Sequence, residues 1–222
     1  MKFIIATEHI NFFQKHQNVE LEGFFTAAQL KDLQSVIHES IATQVNIPVE
    51  KFVNLSTEKT FALGHDLWRR NPRVRKFVFN PSLASIVASL LNVRQVRLGY
   101  DQFLPARTSL INASEPLSLQ DGLSFQGALC CMIVALSDSS SLPEGSPLPS
   151  KAGNVSFIHA EAPIDFQALK SADADFLVVL YVQATTLYIK QPLDPHLHAL
   201  RELGYAFGDR LRDDLHPIVY RE

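Results

Sequence analysis

Only two of the 222 residues are cysteine, and they are neighbours, Cys130 and Cys131. Adjacent cysteines close only a strained disulfide, so no disulfide framework is expected. The pair reads as two small core residues in an apolar run, which fits a reducing, cytoplasmic setting. No segment approaches the ~20 apolar residues of a membrane span. The N-terminal patch Met1-Lys2-Phe3-Ile4-Ile5-Ala6 is too short for a signal peptide and is soon followed by charge, so no membrane partner is expected. There is no basic tail: the net charge is -3. The densest basic cluster, Arg69-Arg70 with Arg73, Arg75 and Lys76, reads as the solvated face of a short helix, which gives a nucleic-acid partner little support. Also missing are a G-x-S-x-G elbow, a Walker loop, a G-x-G-x-x-G turn, zinc-ligand spacing and any internal repeat.

What is present is core material. Hydrophobic residues make up 46% and charged residues 19%, enough for one domain over residues 1–222. The first part, 1–93, is mainly helical. Thr26-Ala27-Ala28-Gln29 has the form of a capping box, followed by Leu30, Leu33, Val36, Ile37 and Ile41 on one helical face. Asn80-Pro81 opens a second helix, with Leu83, Ile86, Val87, Leu90 and Leu91 at helical spacing and Asn92 as its stop.

The remainder, 94–222, reads as β. Val96, Leu98, Tyr100 and Gln102 alternate with Arg97, Gly99, Asp101 and Phe103, as on a strand with two unlike faces. Residues 129–136 form a continuous apolar run, as in a strand buried on both sides. Further strands are expected at 154–158, 176–182, 185–189 and 218–221, and Asp194-Pro195 begins a last short helix ended by Gly204. Residues 137–153, rich in Ser, Pro and Gly, read as an exposed loop without separating two domains. Helices first and strands afterwards argue for α+β rather than a doubly wound parallel sheet. A jelly roll, or double-stranded β-helix, backed by the N-terminal helices suits this layout.

The order of segments resembles the phytanoyl-CoA dioxygenase-like family of iron(II)/2-oxoglutarate oxygenases. Phe12-Phe13 through Gly23-Phe24-Phe25 is similar to that family's opening. Asp66-Leu67-Trp68, then Asn71-Pro72 and Asn80-Pro81, resembles its tryptophan, proline and leucine-rich helix stretch. Gly99-Tyr100-Asp101-Gln102-Phe103-Leu104-Pro105 is similar to the first core strand, and Gly153-Asn154-Val155-Ser156-Phe157-Ile158 to a later one. Coverage is nearly end to end. The resemblance implies a site in which two histidines and one carboxylate hold iron on one face, with 2-oxoglutarate and oxygen in the open positions.

At that site the sequence departs from the family. Where the family carries His-x-Asp, this chain reads Leu119-Gln120-Asp121, and leucine has no donor atom. Gly64-His65-Asp66 lacks the spacer. Between Glu161 and Pro195 there is no histidine to serve as the second ligand, and without it neither Lys190 nor Arg221 can be assigned as the oxoglutarate anchor. The other histidines fit a metal site no better. His159 reads as a turn or mouth residue, His196 and His198 as pointing apart in a helical turn, and His216 as a surface residue.

The expectation is therefore a degenerate member of the fold, not an enzyme, using the old cavity or its rim to bind a small molecule or a protein partner. Leu119 and Asp121 mark the former iron-motif positions, and Tyr100, Gln102, Gln120 and His159 are the candidate cavity or mouth residues. No metal is expected, with Asp121 and His159 as fallback ligands, and no cofactor. Iron(II) and 2-oxoglutarate belong to the alternative, an active non-haem iron oxygenase with unusual ligands. A second alternative is a metal-responsive regulator.

Overall fold

The computed structural model describes residues 5–108 and 115–222. The first four residues of the N-terminal apolar patch fall outside that description. The chain opens with α1 (Thr7–His16), the edge strand β1 (Asn18–Leu21) and the long helix α2 (Ala27–Gln44). Thr26 caps α2 reciprocally: its Oγ1 accepts from the Gln29 N–H, and its own N–H donates to Gln29 Oε1 at 2.9 Å. α3 (Thr57–Leu63), α4 (Pro72–Val78) and α5 (Pro81–Leu91) follow. Asn80 caps α5 by accepting from the Ser82 N–H at 3.0 Å, and Asn92 ends it in the left-handed conformation. Pro72–Leu91 is, by length and composition alone, apolar enough to cross a membrane, which corrects the reading that no stretch approaches that length. Here it is two helices broken at Phe79 and Asn80, with Val74, Val78, Leu83, Ile86, Val87 and Leu90 buried.

The β part comprises β2 (Gln95–Leu104), β3 (Leu117–Ser118), the single turn α6 (Leu119–Gly122), β4 (Phe125–Ala135), β5 (Val155–His159), β6 (Pro163–Ile164), α7 (Phe166–Ser171), β7 (Phe176–Tyr188), α8 (Ala199–Glu202) and β8 (Ile218–Arg221). Six strands form one curled antiparallel sheet in the order β1-β5-β4-β7-β2-β8, and β3 pairs with β6 in a second, two-stranded sheet. The two strands expected at 176–182 and 185–189 are a single strand. It bends where Gln126 pairs with Leu187 but Ala128 with Val182. The bend leaves Gly127 at φ +111°, with the Thr186 hydroxyl donating to its carbonyl at 3.0 Å.

The large sheet is covered on both faces. Cys130, Met132 and Val134 of β4 pack with α2, α4 and α5 in one core, whereas Cys131, Ile133 and Ala135 face a second. The neighbouring cysteines thus point to opposite faces, as period-two geometry requires, and remain free thiols.

The 137–153 stretch is less exposed than its composition implies. Leu148, Pro149 and Gly153 are buried. Asp173 fastens its first turn by accepting from the hydroxyls of Ser139, Ser140 and Ser141 at 2.7, 2.7 and 2.9 Å and from the Ser140 N–H at 2.9 Å. Leucine and proline inside a polar stretch find apolar surface once the chain folds back over the second core.

Candidate functional site

The second core is not filled. Between the large sheet and the small β3–β6 sheet lies a cavity of about 60 Å³. Its floor is one face of the large sheet: Tyr100, Gln102 and Leu104 at alternate positions of β2, with Cys131 and Ile133 of β4 and Val178 of β7. Its roof is Leu119 and Leu123 around α6, Ile164 of β6, Phe166 and Leu169 of α7, and Leu148 from the 137–153 segment. Phe61, Pro195 and His196 close one side. Among the described residues no lysine, arginine, aspartate or glutamate lines it.

Gln102 is 3% exposed, and its amide is oriented by the backbone. Nε2 donates to the carbonyls of Phe61 at 2.9 Å and Phe103 at 2.7 Å, so both amide protons are used. Oε1 is buried and has no hydrogen-bond partner among the described residues. A buried acceptor left unmade costs about 1–3 kcal/mol. Tyr100, two residues along on the same strand face, is also buried and lines the same cavity. Burial holds its phenol protonated, well above the usual range. Burial likewise pushes the Cys131 thiol up to about 12, so this sulfur is a weakly polar wall atom and not a nucleophile.

The side wall is built by an interaction the sequence pattern hides. Residues 64–66 run against β2: the Phe103 N–H donates to the Gly64 carbonyl and the Asp66 N–H to the Asp101 carbonyl, each at 2.9 Å, and His65 pairs with Gln102 in an isolated antiparallel bridge. A side chain at Gly64 would meet Phe103 Cβ at 2.9 Å, so only glycine allows this approach. From there Asp66 turns the chain in the left-handed region into a 3₁₀ turn, Leu67–Arg69. The N–H groups of Leu67 and Trp68 donate to the two carboxylate oxygens of Asp101 at 3.2 and 3.1 Å. Asp101 is fully buried, and burial followed by the neighbouring Asp66 pushes its carboxyl up to about 8, against the pull of those two N–H donors.

His65 thereby stands beside His196, ring centroids 4.0 Å apart, and His196 stacks on Phe61 at 5.1 Å. His196 follows Asp194, whose carboxylate accepts from the His196 N–H at 2.8 Å and from the Ser124 N–H at 2.7 Å. Burial, then the neighbouring guanidiniums of Arg69 and Arg70, lowers His65 to about 4. Burial, then His65, lowers His196 to about 3. Both rings are neutral at pH 7, and His196 Nε2 is buried without a partner among the described residues. Beyond this wall lies an open polar cleft lined by Arg69, Arg70, His198 and Glu202, among others.

His216, read from sequence as a surface residue, is 1% exposed. Arg69 Nη2 lies 3.1 Å from His216 Nε2, and Nδ1 lies 2.9 Å from the Tyr205 hydroxyl. A guanidinium can only donate, so Nε2 is the acceptor and the ring proton belongs on Nδ1.

Of the residues singled out from sequence, Tyr100, Gln102 and Leu119 meet at the cavity. Gln120 and His159 do not line it. Gln120 is exposed, and half-buried His159 packs near Phe13 and accepts the Glu161 N–H at Nδ1. Asp121 is exposed and accepts from the Ser118 hydroxyl at 2.6 Å. Lys190 and Arg221 are exposed. His65 and His196 were not legible as wall residues, because what joins them is the long-range pairing of residues 64–66 with β2.

No protein-family model matches the chain, and no curated protein is significantly similar to it. Solved structures share its fold. The non-heme α-ketoglutarate dependent carbocyclase SnoK from nogalamycin biosynthesis aligns with a TM-score of 0.66 at 14% identity, over 96% of this chain and 96% of its own. The epimerase SnoN in complex with Fe3+, α-ketoglutarate and nogalamycin RO aligns with a TM-score of 0.63 at 16% identity, over 96% and 97%. CytC3 with Fe(II) and α-ketoglutarate aligns with a TM-score of 0.54 at 13% identity, over 86% and 82%. The chain has the fold of the non-heme iron, 2-oxoglutarate-dependent enzymes.

These neighbours correct the expectation of no cofactor. Complexes of this fold hold iron and α-ketoglutarate, and that is the cofactor class to which the fold points. The donor set on the cavity wall does not match a three-ligand face. Leu119 and Ile164 stand on its roof, and among the described residues no three His, Cys, Asp or Glu side chains are grouped to hold a metal.

Proposed function

We propose that the protein is a small-molecule-binding member of the phytanoyl-CoA dioxygenase-like group, with the large and small sheets as the two halves of a double-stranded β-helix and the space between them as the binding site. The observation that carries this reading is the cavity itself: a largely apolar chamber between the sheets, lined by Gln102, whose oriented amide keeps a buried acceptor without a partner among the described residues. Pockets for small molecules are largely apolar with a few fixed polar groups. A volume of about 60 Å³, several times the ~10–15 Å³ that a cavity needs to hold one water, sets the scale at a fragment or one end of a larger ligand. The chemistry such a chamber performs is selection by size and by one hydrogen-bonding group.

Ligands that bind only the folded chain raise its melting temperature in a concentration-dependent way. A panel of compact apolar molecules should give such shifts for the native protein, and smaller ones for Ile133→Phe, which fills the chamber. Equal shifts in both would place binding elsewhere.

The fold neighbours favour a second reading, an iron- and 2-oxoglutarate-dependent oxygenase with an unusual ligand set. Anaerobic loading with iron(II), followed by assay of succinate formation, tests it. Stoichiometric iron with succinate production would establish it in place of the first.

A further inference from the structure

The cavity specifies the kind of group its ligand carries. We infer that the ligand is neutral and presents a hydroxyl, or another group that both donates and accepts, to Gln102 and Tyr100. This rests on the reading of the cavity as a binding site.

The Gln102 amide cannot be turned to suit a different ligand. Reversing it would set Oε1 against the carbonyls of Phe61 and Phe103, two acceptors facing a third, and would forfeit hydrogen bonds of 2.9 and 2.7 Å. Oε1 is thus a fixed acceptor, and it calls for a donor. A ketone, an ether or a carboxylate has none to offer. The Tyr100 hydroxyl belongs to the same strand face of the chamber, and burial keeps its proton in place, so it can donate to an oxygen that itself donates to Gln102. His196 Nε2, buried and unpartnered on the adjoining wall, adds a third polar atom that is neutral at pH 7. All three wall groups are uncharged, and among the described residues no Lys or Arg side chain lines the chamber to offset the desolvation of an anion. The apolar roof of Leu119, Leu123, Ile164 and Phe166 takes the hydrocarbon part.

Propan-2-ol and acetone separate the possibilities, because they share shape and size and differ in whether the oxygen can donate. Dissociation constants are measured by NMR titration of the full chain, with acetate as the anionic probe. The alcohol should bind at least fivefold tighter than acetone, acetate should not bind in the chamber, and the Gln102 side-chain amide resonances should move with the alcohol. In Gln102→Met the preference should collapse to within twofold. Should that variant fail to fold, the amide resonances of the native protein and the Tyr100→Phe variant decide the matter, the latter weakening the alcohol severalfold. Equal affinities for alcohol and ketone, with unmoved Gln102 resonances, would overturn the inference and leave the cavity reading standing. If neither binds and only water satisfies Gln102, the inference and the cavity reading fall together.

Discussion

The imidazoles of His65 and His196 lie 4.0 Å apart between an apolar chamber and a polar cleft, and both are held neutral. With His216, lowered to about 3 chiefly by burial and then by Arg69, they make three histidines that bind a proton more readily in the unfolded chain. Between about pH 6.5, the ordinary histidine value, and the folded values of about 3–4, the unfolded state holds more protons, so stability falls as the pH falls. Asp101 acts in the opposite sense. Its carboxyl stays protonated to about 8 in the fold and ionises near 4 when unfolded, so its contribution is lost as the pH rises through that range. His38 is lowered as well, chiefly by burial, and Asp175 is raised, chiefly by burial; four histidines outweigh two carboxyls on the acid side, which puts the maximum near neutrality. Urea midpoints at pH 4.5, 6.5 and 8 should be highest at 6.5, and His216→Gln should flatten the acid limb. A midpoint that rises toward pH 4.5 contradicts this account of the wall.

Gly153 has φ +89°, and a Cβ there would sit 2.4 Å from the Phe25 carbonyl oxygen. That oxygen belongs to the chain just before α2, and the Phe25 N–H donates to the Gly153 carbonyl at 2.9 Å. Gly153→Ala should destabilise by at least the ~1–3 kcal/mol of left-handed strain, read as a lowered melting temperature. A wild-type value would mean that the α2 entry and the 153 turn are not packed as described.

Asp173 is exposed, yet its carboxylate gathers three serine hydroxyls, which hold its pKa below the usual carboxylate range. Asp173→Ala should speed amide hydrogen exchange at Ser140 and Ser141 and favour proteolytic nicking in the 139–146 stretch, with little change in β4 or β7. Because Leu148 roofs the chamber, loosening of this segment should also weaken ligand binding. Unchanged exchange would show that the serines do not depend on Asp173.

Cys130 and Cys131 are 0% and 1% exposed, and burial raises both thiols. Neither should react with a thiol reagent on the native protein, and two equivalents should appear on unfolding. Fast labelling of one native thiol would mean that the chamber opens beside Cys131.

Much of the scaffold was legible because local chemistry dictates it. The Thr26 capping box, the Asn80-Pro81 start and Asn92 stop, and the doubly buried run at β4 all follow from residue type and spacing. The alternation of Tyr100 and Gln102 on β2 likewise put both on one face, and that face proved to be the cavity floor. Long-range pairing was not legible. Nothing near Gly64-His65-Asp66 announces that it runs along β2, and His216 reads as surface until Arg69 and Tyr205 are brought to it. Leu148 was hidden by its Ser- and Pro-rich surroundings. Gln120 and His159 were placed near the mouth by resemblance, and the fold turns both away from the cavity.

The most direct test of the binding site is a crystal structure of the protein soaked in propan-2-ol. The account predicts ligand density between the β2 floor and the Leu119–Ile164 roof, with an oxygen within hydrogen-bond distance of Gln102 Oε1. Density only on the surface, or a collapsed chamber with Gln102 bonded to another protein group, would contradict it.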